Sequence, residues 1–372
     1  SQIHSPGPYG ETTSTALVLD WRRFSTEQIS SFCELEIQTV KAASDLPATT
    51  NFMDFFKGLD YNRMKKGLDI ISWDSYPFWH EQKDEVPVAA RTAANHSVMR
   101  ALKKAPFLLM ESTPSSISWR NSNPLKRPGM HMLSSMQAVA HGSDSVQYFQ
   151  WRKGRGGYEK FHGAVLDHKN GTNTRTFRDV TEVGARLAGL SDKIDGTVNR
   201  PRAAIIFDWE NWWAVEDTQG PRLDLDYVEC VLSHYRAFWE KGIEADLIGM
   251  EEKLDGYQLV AAPLNYMYKS GYAEKGREFV AGGGTFVTTY FSGMVNDTDL
   301  CFVGHHPLEE VLGVVQEEID APSEDFENQF SYGDAEYPAR RMCEVVHAKE
   351  GTEVLSVYER DFYAGCPVVC LL

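Results

Sequence analysis

The first half of the chain alternates short apolar runs, which are typical of buried strands, with longer segments that have helical periodicity. Strands are predicted at 49–52, 69–74, 107–111 and 145–151. Strands that alternate with helices form parallel βαβ units, so the pattern predicts a parallel sheet of the (β/α)8 barrel type. A complete barrel has eight strands in typically ~250 residues. Residues 1–195 therefore hold about half of a barrel.

The helical segments between these strands carry some of their own boundary signals. Ser25 and Gln28 have the spacing of a capping box, and apolar residues follow on one helical face, so a helix is predicted to begin after Ser25. Further helices are predicted at about 85–104, 132–140 and 177–190.

Polar and aromatic side chains gather at or just after the C-terminal ends of the predicted strands. Asp74 and Tyr76 follow the second strand, Glu111 ends the third strand with Trp119 after it, and Phe149 lies at the end of the fourth. In a (β/α) barrel these strand ends form the catalytic face. The sequence therefore predicts one polar and aromatic site at this face.

Each candidate has an ordinary structural explanation when it is considered alone. Glu111 fits a helix cap or a loop carboxylate equally well. Trp119 alone is more often a packing residue. His162 lies in the loop after the fourth predicted strand, and alone it is more often a structural hydrogen-bonding group. Together with Glu159 in the last loop, the set favours a sugar site, because carboxylates attack the anomeric carbon and aromatic faces stack on the sugar ring.

The pattern restarts after residue 197 and predicts a second α/β unit. Strands are predicted at 203–207, 258–263 and 285–290, with a helix from Tyr227 to Trp239 and another near 270–281. This alternation is typical of a doubly wound domain. The three glycines at 282–284 lack the spacing and the lysine of a phosphate loop, and they indicate the end of a helix.

Composition narrows the classes of partner. The net charge of −16 argues against nucleic acid binding, and no apolar run approaches the roughly 18 residues of a membrane helix. The six cysteines are scattered without metal or redox spacing, which indicates reduced residues of a cytoplasmic protein.

Taken together, the motifs resemble the β-galactosidases of glycoside hydrolase family 42 from about Leu17 to the end of the chain. The matching pieces in the barrel segment are 109–111, 117–119, 127–129, 140–142, 148–152 and 159–164, and those in the second unit are 207–210, 283–284 and 291–293.

The resemblance implies a retaining mechanism with Glu111 as the nucleophile. It also implies that Trp119, Glu159 and His162 hold galactose, with Phe149, Asp74 and Tyr76 as further contacts. The second unit would be a flavodoxin-like or glutamine-amidotransferase-like trimerisation domain, so a homotrimer acting on β-galactosides is expected. No cofactor is expected, and no residue of this chain is predicted to bind a metal.

Three features depart from the family pattern. The family's acid/base glutamate lies in an Asn-Glu pair, and no such pair occurs in the barrel segment. The cysteine cluster that binds a structural zinc in some members would lie upstream, and the small C-terminal β domain would lie downstream. We therefore expect an internal fragment, with the C-terminal half of a barrel at 1–197 and the trimerisation domain at 198–372.

Two other interpretations remain open at this level. The chain is also compatible with a retaining barrel glycosidase that acts on a different sugar. A non-catalytic sugar-binding or assembly protein with half of a site is the alternative from another class.

Overall fold

The computed structural model describes Ser5 and residues 14–372. The chain divides into two compact units. One contains residues 26–201 and 235–247. The other contains residues 202–234 and 248–372 together with the described residues up to Ser25.

The unit that contains residues 26–201 is built around a parallel sheet of four strands. Its order is β1-β2-β3-β4, and each strand runs parallel to its neighbour. The strands are β1 (Asn51–Phe52), β2 (Ser72–Ser75), β3 (Phe107–Ser112) and β4 (Ser143–Val146). The helices of this part of the chain are α1 (Thr15–Lys41), α2 (Tyr61–Met64), α3 (Val86–Lys103), α4 (Met130–Ala140), α5 (Arg175–Ala188) and α6 (Ser191–Ile194), with a 3-10 turn at Lys65–Gly67.

Helix α3 covers the sheet and packs against it through small side chains. Ala93 and Ala94 are fully buried, which permits close approach of the helix to the strands. The ring of His96 stacks on Phe107 with 5.5 Å between centroids. Helix α3 ends at Lys104, which adopts the left-handed conformation with φ 50°.

Two predicted boundaries in this part of the chain are wrong. Helix α1 is continuous through Ser25, whose hydroxyl donates to the Trp21 carbonyl one turn earlier, so Ser25 caps nothing. The last strand ends at Val146 instead of continuing to Trp151. Beyond Val146 the N–H groups of Gln147 and Phe149 still donate to β3, and at Gln150 the N–H donates to the Gly163 carbonyl of the next loop instead.

The second unit combines a parallel sheet with antiparallel hairpins. Strand β7 lies between β5 and β9 with parallel pairing on both sides. Three antiparallel pairs, β11 with β14, β12 with β13 and β15 with β16, were not predicted. Within residues 202–372 the strands are β5 (Ala203–Ile206), β6 (Ala245–Ile248), β7 (Leu259–Ala262), β8 (Met267–Tyr268), β9 (Thr285–Thr288), β10 (Val295–Asn296), β11 (Val314–Asp320), β12 (Asn328–Tyr332), β13 (Ala335–Ala339), β14 (Cys343–Ala348), β15 (Glu353–Val357) and β16 (Pro367–Leu371), and the helices are α7 (Trp209–Asp217), α8 (Tyr227–Glu240), α9 (Tyr272–Ala281) and α10 (Glu309–Leu312).

Helix α7, which was also not predicted, begins at a buried cap. The Asp208 side chain accepts from the N–H groups of Glu210 and Asn211, which satisfies two of the free donors of the first turn. Among residues 14–372, no helix is both long enough and apolar enough to cross a membrane.

Candidate active site

Two carboxylates lie side by side at the C-terminal ends of neighbouring strands. Asp74 of β2 is the register partner of Glu111 of β3, just beyond an irregularity in the pairing. Both residues are half-buried. A third strand contributes Asn51, whose side-chain amide donates to Asp74 Oδ1 at 2.7 Å. The parallel sheet thus brings polar groups from three strands to one edge.

Burial and the charge of Glu111 raise the pKa of Asp74 to about 6, and the hydrogen bond from Asn51 opposes that rise. Asp74 is therefore charged at neutral pH and becomes protonated as the pH falls through about 6.

We expect Asp74→Asn to stabilise the protein at pH 7 and to change its stability little near pH 4. The folded-state pKa lies above the ordinary value of 3.8. The folded state therefore binds the proton more tightly, and stability falls as the pH rises from about 4 to about 6. The Asn side chain carries no charge, so the substitution removes this loss of stability at pH 7. The expected gain in the free energy of unfolding is on the order of 1–2 kcal/mol after solvent screening.

Thermal melting of the full-length protein at both pH values measures the effect. Asp192→Asn on the exposed helix α6 is the control, and an equal shift for Asp74→Asn at both pH values would contradict the expectation.

Tyr76 connects the two strands through the Glu111 side chain. Its hydroxyl donates to Glu111 Oε2 at 2.6 Å. Burial and this carboxylate raise the pKa of Tyr76 far above its ordinary value, so the phenol keeps its proton. Hydrogen bonds to a carboxylate are stronger than those between neutral groups. The arrangement therefore holds one Glu111 oxygen in place.

Aromatic rings form a wall beside the carboxylates, with His162 at its centre. The His162 ring meets Phe149, Tyr76 and Trp119 edge to face, at centroid distances of 5.1, 5.7 and 5.8 Å. Trp119 also meets Tyr76 at 5.1 Å and remains 50% exposed. An exposed indole face next to a carboxylate is suited to stacking on the apolar face of a sugar.

His162 is buried, and neither of its ring nitrogens has a well-formed hydrogen bond within the described residues. Burial lowers the pKa of His162, so the ring is neutral at pH 7. A neutral imidazole offers one donor and one acceptor to a ligand hydroxyl.

The structure brings six of the seven predicted site residues into one group, and Glu159 differs from the others. Its side chain is exposed in the loop after β4, while its carbonyl accepts from the His162 N–H at 2.9 Å. The charge of Glu159 acts on both Tyr76 and His162, which places it near the site.

The loops after β3 and β4 pack closely around Gly163. Its N–H donates to the Ser116 carbonyl at 2.7 Å. A Cβ atom at this position would lie 2.4 Å from Ser115 Oγ and 2.6 Å from Thr113 Oγ1. Only glycine fits there without displacing the loop that follows Glu111.

Lys126 holds the same loop from the other side. Its main-chain N–H donates to the Ser115 carbonyl at 2.9 Å, and its buried ammonium donates to the Thr113 carbonyl at 2.7 Å. The segment directly after Glu111 is thus fixed by two hydrogen bonds from one residue.

Besides Lys126, sequence reasoning missed Asn51 and Arg120. Asn51 lies one residue before the end of the predicted strand 49–52, and that position was the available signal. Arg120 directly follows Trp119, and its guanidinium donates to the Tyr76 carbonyl and pairs with Glu81 at 3.1 Å. It also lies 3.4 Å from the centre of the Phe78 ring. Arg120 joins the loops that carry Tyr76 and Trp119.

Comparisons with known proteins place this site in a family. A family model described as β-galactosidase, glycoside hydrolase family 42, matches residues 1–190. A model described as the β-galactosidase trimerisation domain matches residues 201–371.

Curated relatives and solved structures agree with these matches. β-Galactosidase BglY of Alicyclobacillus acidocaldarius is 50% identical over 378 residues, covering 99% of this chain and 55% of that protein. β-Galactosidase Pbg of Clostridium perfringens is 47% identical over 383 residues, with the same coverage of 99% and 55%. The crystal structure of a β-galactosidase from Rahnella sp. R3 superposes with a TM-score of 0.95 at 49% identity, covering 99% of this chain and 56% of that one. The chain spans about half the length of these relatives, and it belongs to glycoside hydrolase family 42.

Proposed function

We propose that the protein containing this chain is a retaining β-galactosidase in which Glu111 is the nucleophile. The observation that carries the proposal is the Glu111 carboxylate at the end of β3, held at 2.6 Å by the Tyr76 hydroxyl beside an exposed indole. Glu111 attacks the anomeric carbon of a terminal β-D-galactose, and the aglycone leaves as its bond to that carbon breaks. Water then releases galactose from the covalent intermediate and regenerates the carboxylate.

The second carboxyl of this mechanism is proposed to lie outside residues 1–372. A retaining enzyme needs an acid/base about 5–5.5 Å from the nucleophile, on the other side of the scissile bond. Asp74 stands on the strand next to Glu111, so both approach the sugar from the same side. Glu159 is exposed and is assigned to binding sugar hydroxyls.

We propose that the four parallel strands are one half of a (β/α)8 barrel. Their order β1-β2-β3-β4 follows the chain, as consecutive barrel strands do. The curated relatives have additional length in which four more strands can lie, since this chain accounts for 55% of them. We further propose a division near residue 198, with a flavodoxin-like domain after it.

A homotrimer is proposed from the match of residues 201–371 to the trimerisation domain. In this arrangement a neighbouring subunit helps to wall the site. The cytoplasmic location and the absence of a cofactor stay predictions.

Galactose affinity tests the assignment of the aromatic wall. We expect Trp119→Ala to weaken binding through lost stacking, and His162→Ala through an unpaired sugar hydroxyl, each by about 1–3 kcal/mol. Titration of galactose against the full-length protein measures both. Trp151→Ala is the matched control, because Trp151 is 63% exposed in the neighbouring loop. Unchanged dissociation constants for galactose in both Trp119→Ala and His162→Ala would show that these residues have a packing role and do not bind the sugar.

A further inference from the structure

A small cavity lies behind the carboxylate face, between the sheet and the helices α3 and α4. Its lining includes Lys126, Trp79, His96 and the hydroxyl-bearing residues Ser112 and Ser135. The space holds about one water molecule or one monatomic ion. The cavity plays no part in the mechanism proposed above.

Lys126 brings a positive charge to this cavity without a carboxylate to balance it. The residue is only 6% exposed, and its ammonium donates to the Thr113 carbonyl. Among the residues that the structure describes, no acid lies within ion-pair distance of Lys126. An ammonium has three donors, and a buried charge is costly unless it is paired. Burial lowers the pKa of Lys126 to about 8, so the charge is still largely present at neutral pH.

Two further nitrogen atoms in the lining are buried without a partner in residues 14–372. They are Nε1 of Trp79 and Nδ1 of His96. The indole nitrogen is a donor only, and an unsatisfied buried donor is destabilising. Ser112 and Ser135 of the lining donate to main-chain carbonyls, and neither hydroxyl makes a hydrogen bond with these two nitrogen atoms.

A water molecule in the cavity would satisfy part of this set, but it would leave the ammonium charge uncompensated. A single anion in this space would balance the charge and would supply acceptors for the ammonium and the indole. Chloride and bromide fit both the charge and the size.

We propose that Lys126, Trp79 and His96 form a binding site for one monatomic anion, of which chloride is the physiological example. The bound ion neutralises the ammonium that holds the Thr113 carbonyl. It therefore stabilises the loop that follows Glu111. The site is independent of the galactosidase assignment, because its occupancy is measured without substrate.

The test compares chloride with gluconate, which is a much larger anion, at equal ionic strength and pH 7. Thermal melting of the wild-type full-length protein is expected to rise saturably with chloride and not with gluconate. Lys126→Met is expected to abolish the difference, and Lys66→Met, at an exposed lysine, to preserve it. Trp79→Phe removes one N–H while keeping a ring, and should raise the chloride Kd about tenfold.

Crystals of the full-length protein soaked in bromide provide a direct readout. An anomalous peak beside the Lys126 ammonium supports the proposal. Identical melting of the wild-type protein in chloride and gluconate overturns it, as does a bromide-free cavity occupied by water. Lys126→Met can be replaced in this test if it does not fold, because the wild-type comparison and the Trp79→Phe variant do not depend on it. Those two measurements alone decide between the outcomes.

Discussion

Glu111→Gln is expected to reduce β-galactosidase turnover of the full-length protein by roughly 10⁴-fold or more. The amide cannot attack the anomeric carbon, so the covalent intermediate does not form. Gln keeps the shape of Glu and can still accept the hydrogen bond that Tyr76 donates at 2.6 Å. Folding should therefore be preserved, as checked by melting temperature.

Chemical rescue distinguishes loss of a nucleophile from a general defect. Glu111→Gly leaves a space that azide can enter, and added azide should restore part of the turnover and yield a galactosyl azide. Glu182→Gln, on the exposed face of α5, is the control and should be as active as the wild type. Near-normal turnover of Glu111→Gln would show that the nucleophile is another residue.

Residues 1–372 expressed alone are expected to hydrolyse no β-galactoside above background. A retaining glycosidase needs two carboxyls on opposite sides of the bond, and the second is assigned to the rest of the full-length protein. Activity on a chromogenic β-galactoside, with the full-length protein as the positive control, measures this directly.

The same polypeptide is expected to aggregate. Strand β1 has one strand neighbour in its sheet, and an open sheet edge invites pairing with other chains. Ile70, Leu108 and Val146 are partly exposed, and apolar surface left in water costs roughly 25 cal/mol per Å² relative to burial. Size-exclusion chromatography with light scattering detects the association.

A monodisperse and active 1–372 polypeptide would contradict both expectations. It would mean that a carboxyl within this chain serves as the acid, and Asp74, with its pKa raised to about 6, would be the first to test. In that case Asp74→Asn would abolish the activity of the shorter polypeptide.

Sequence patterns predicted the elements that have strong local signals. The β3 strand and the helices α3 and α4 lie close to where periodicity placed them. Ser25 was misread because a capping box is a local pattern, while in the continuous helix α1 the Ser25 hydroxyl donates to the Trp21 carbonyl. The antiparallel strands after residue 313 alternate weakly, with many exposed positions, so no period was evident.

The candidate site was predictable where its residues end strands, since parallel strands bring their C-terminal ends together. Glu111, Asp74 and Tyr76 follow this rule. Arg120 and Lys126 act through long side chains that reach across loops. Such contacts depend on three-dimensional loop paths that spacing in the sequence does not contain.

The close packing at Gly163 has a consequence for attempts to redesign the candidate site. The loops after β3 and β4 touch without room for one methyl group between Gly163 and Ser115. A library that varies one loop while keeping the other fixed would mostly produce misfolded members. Libraries that exchange both loops together, taken as a pair from one related protein, should instead contain more folded members.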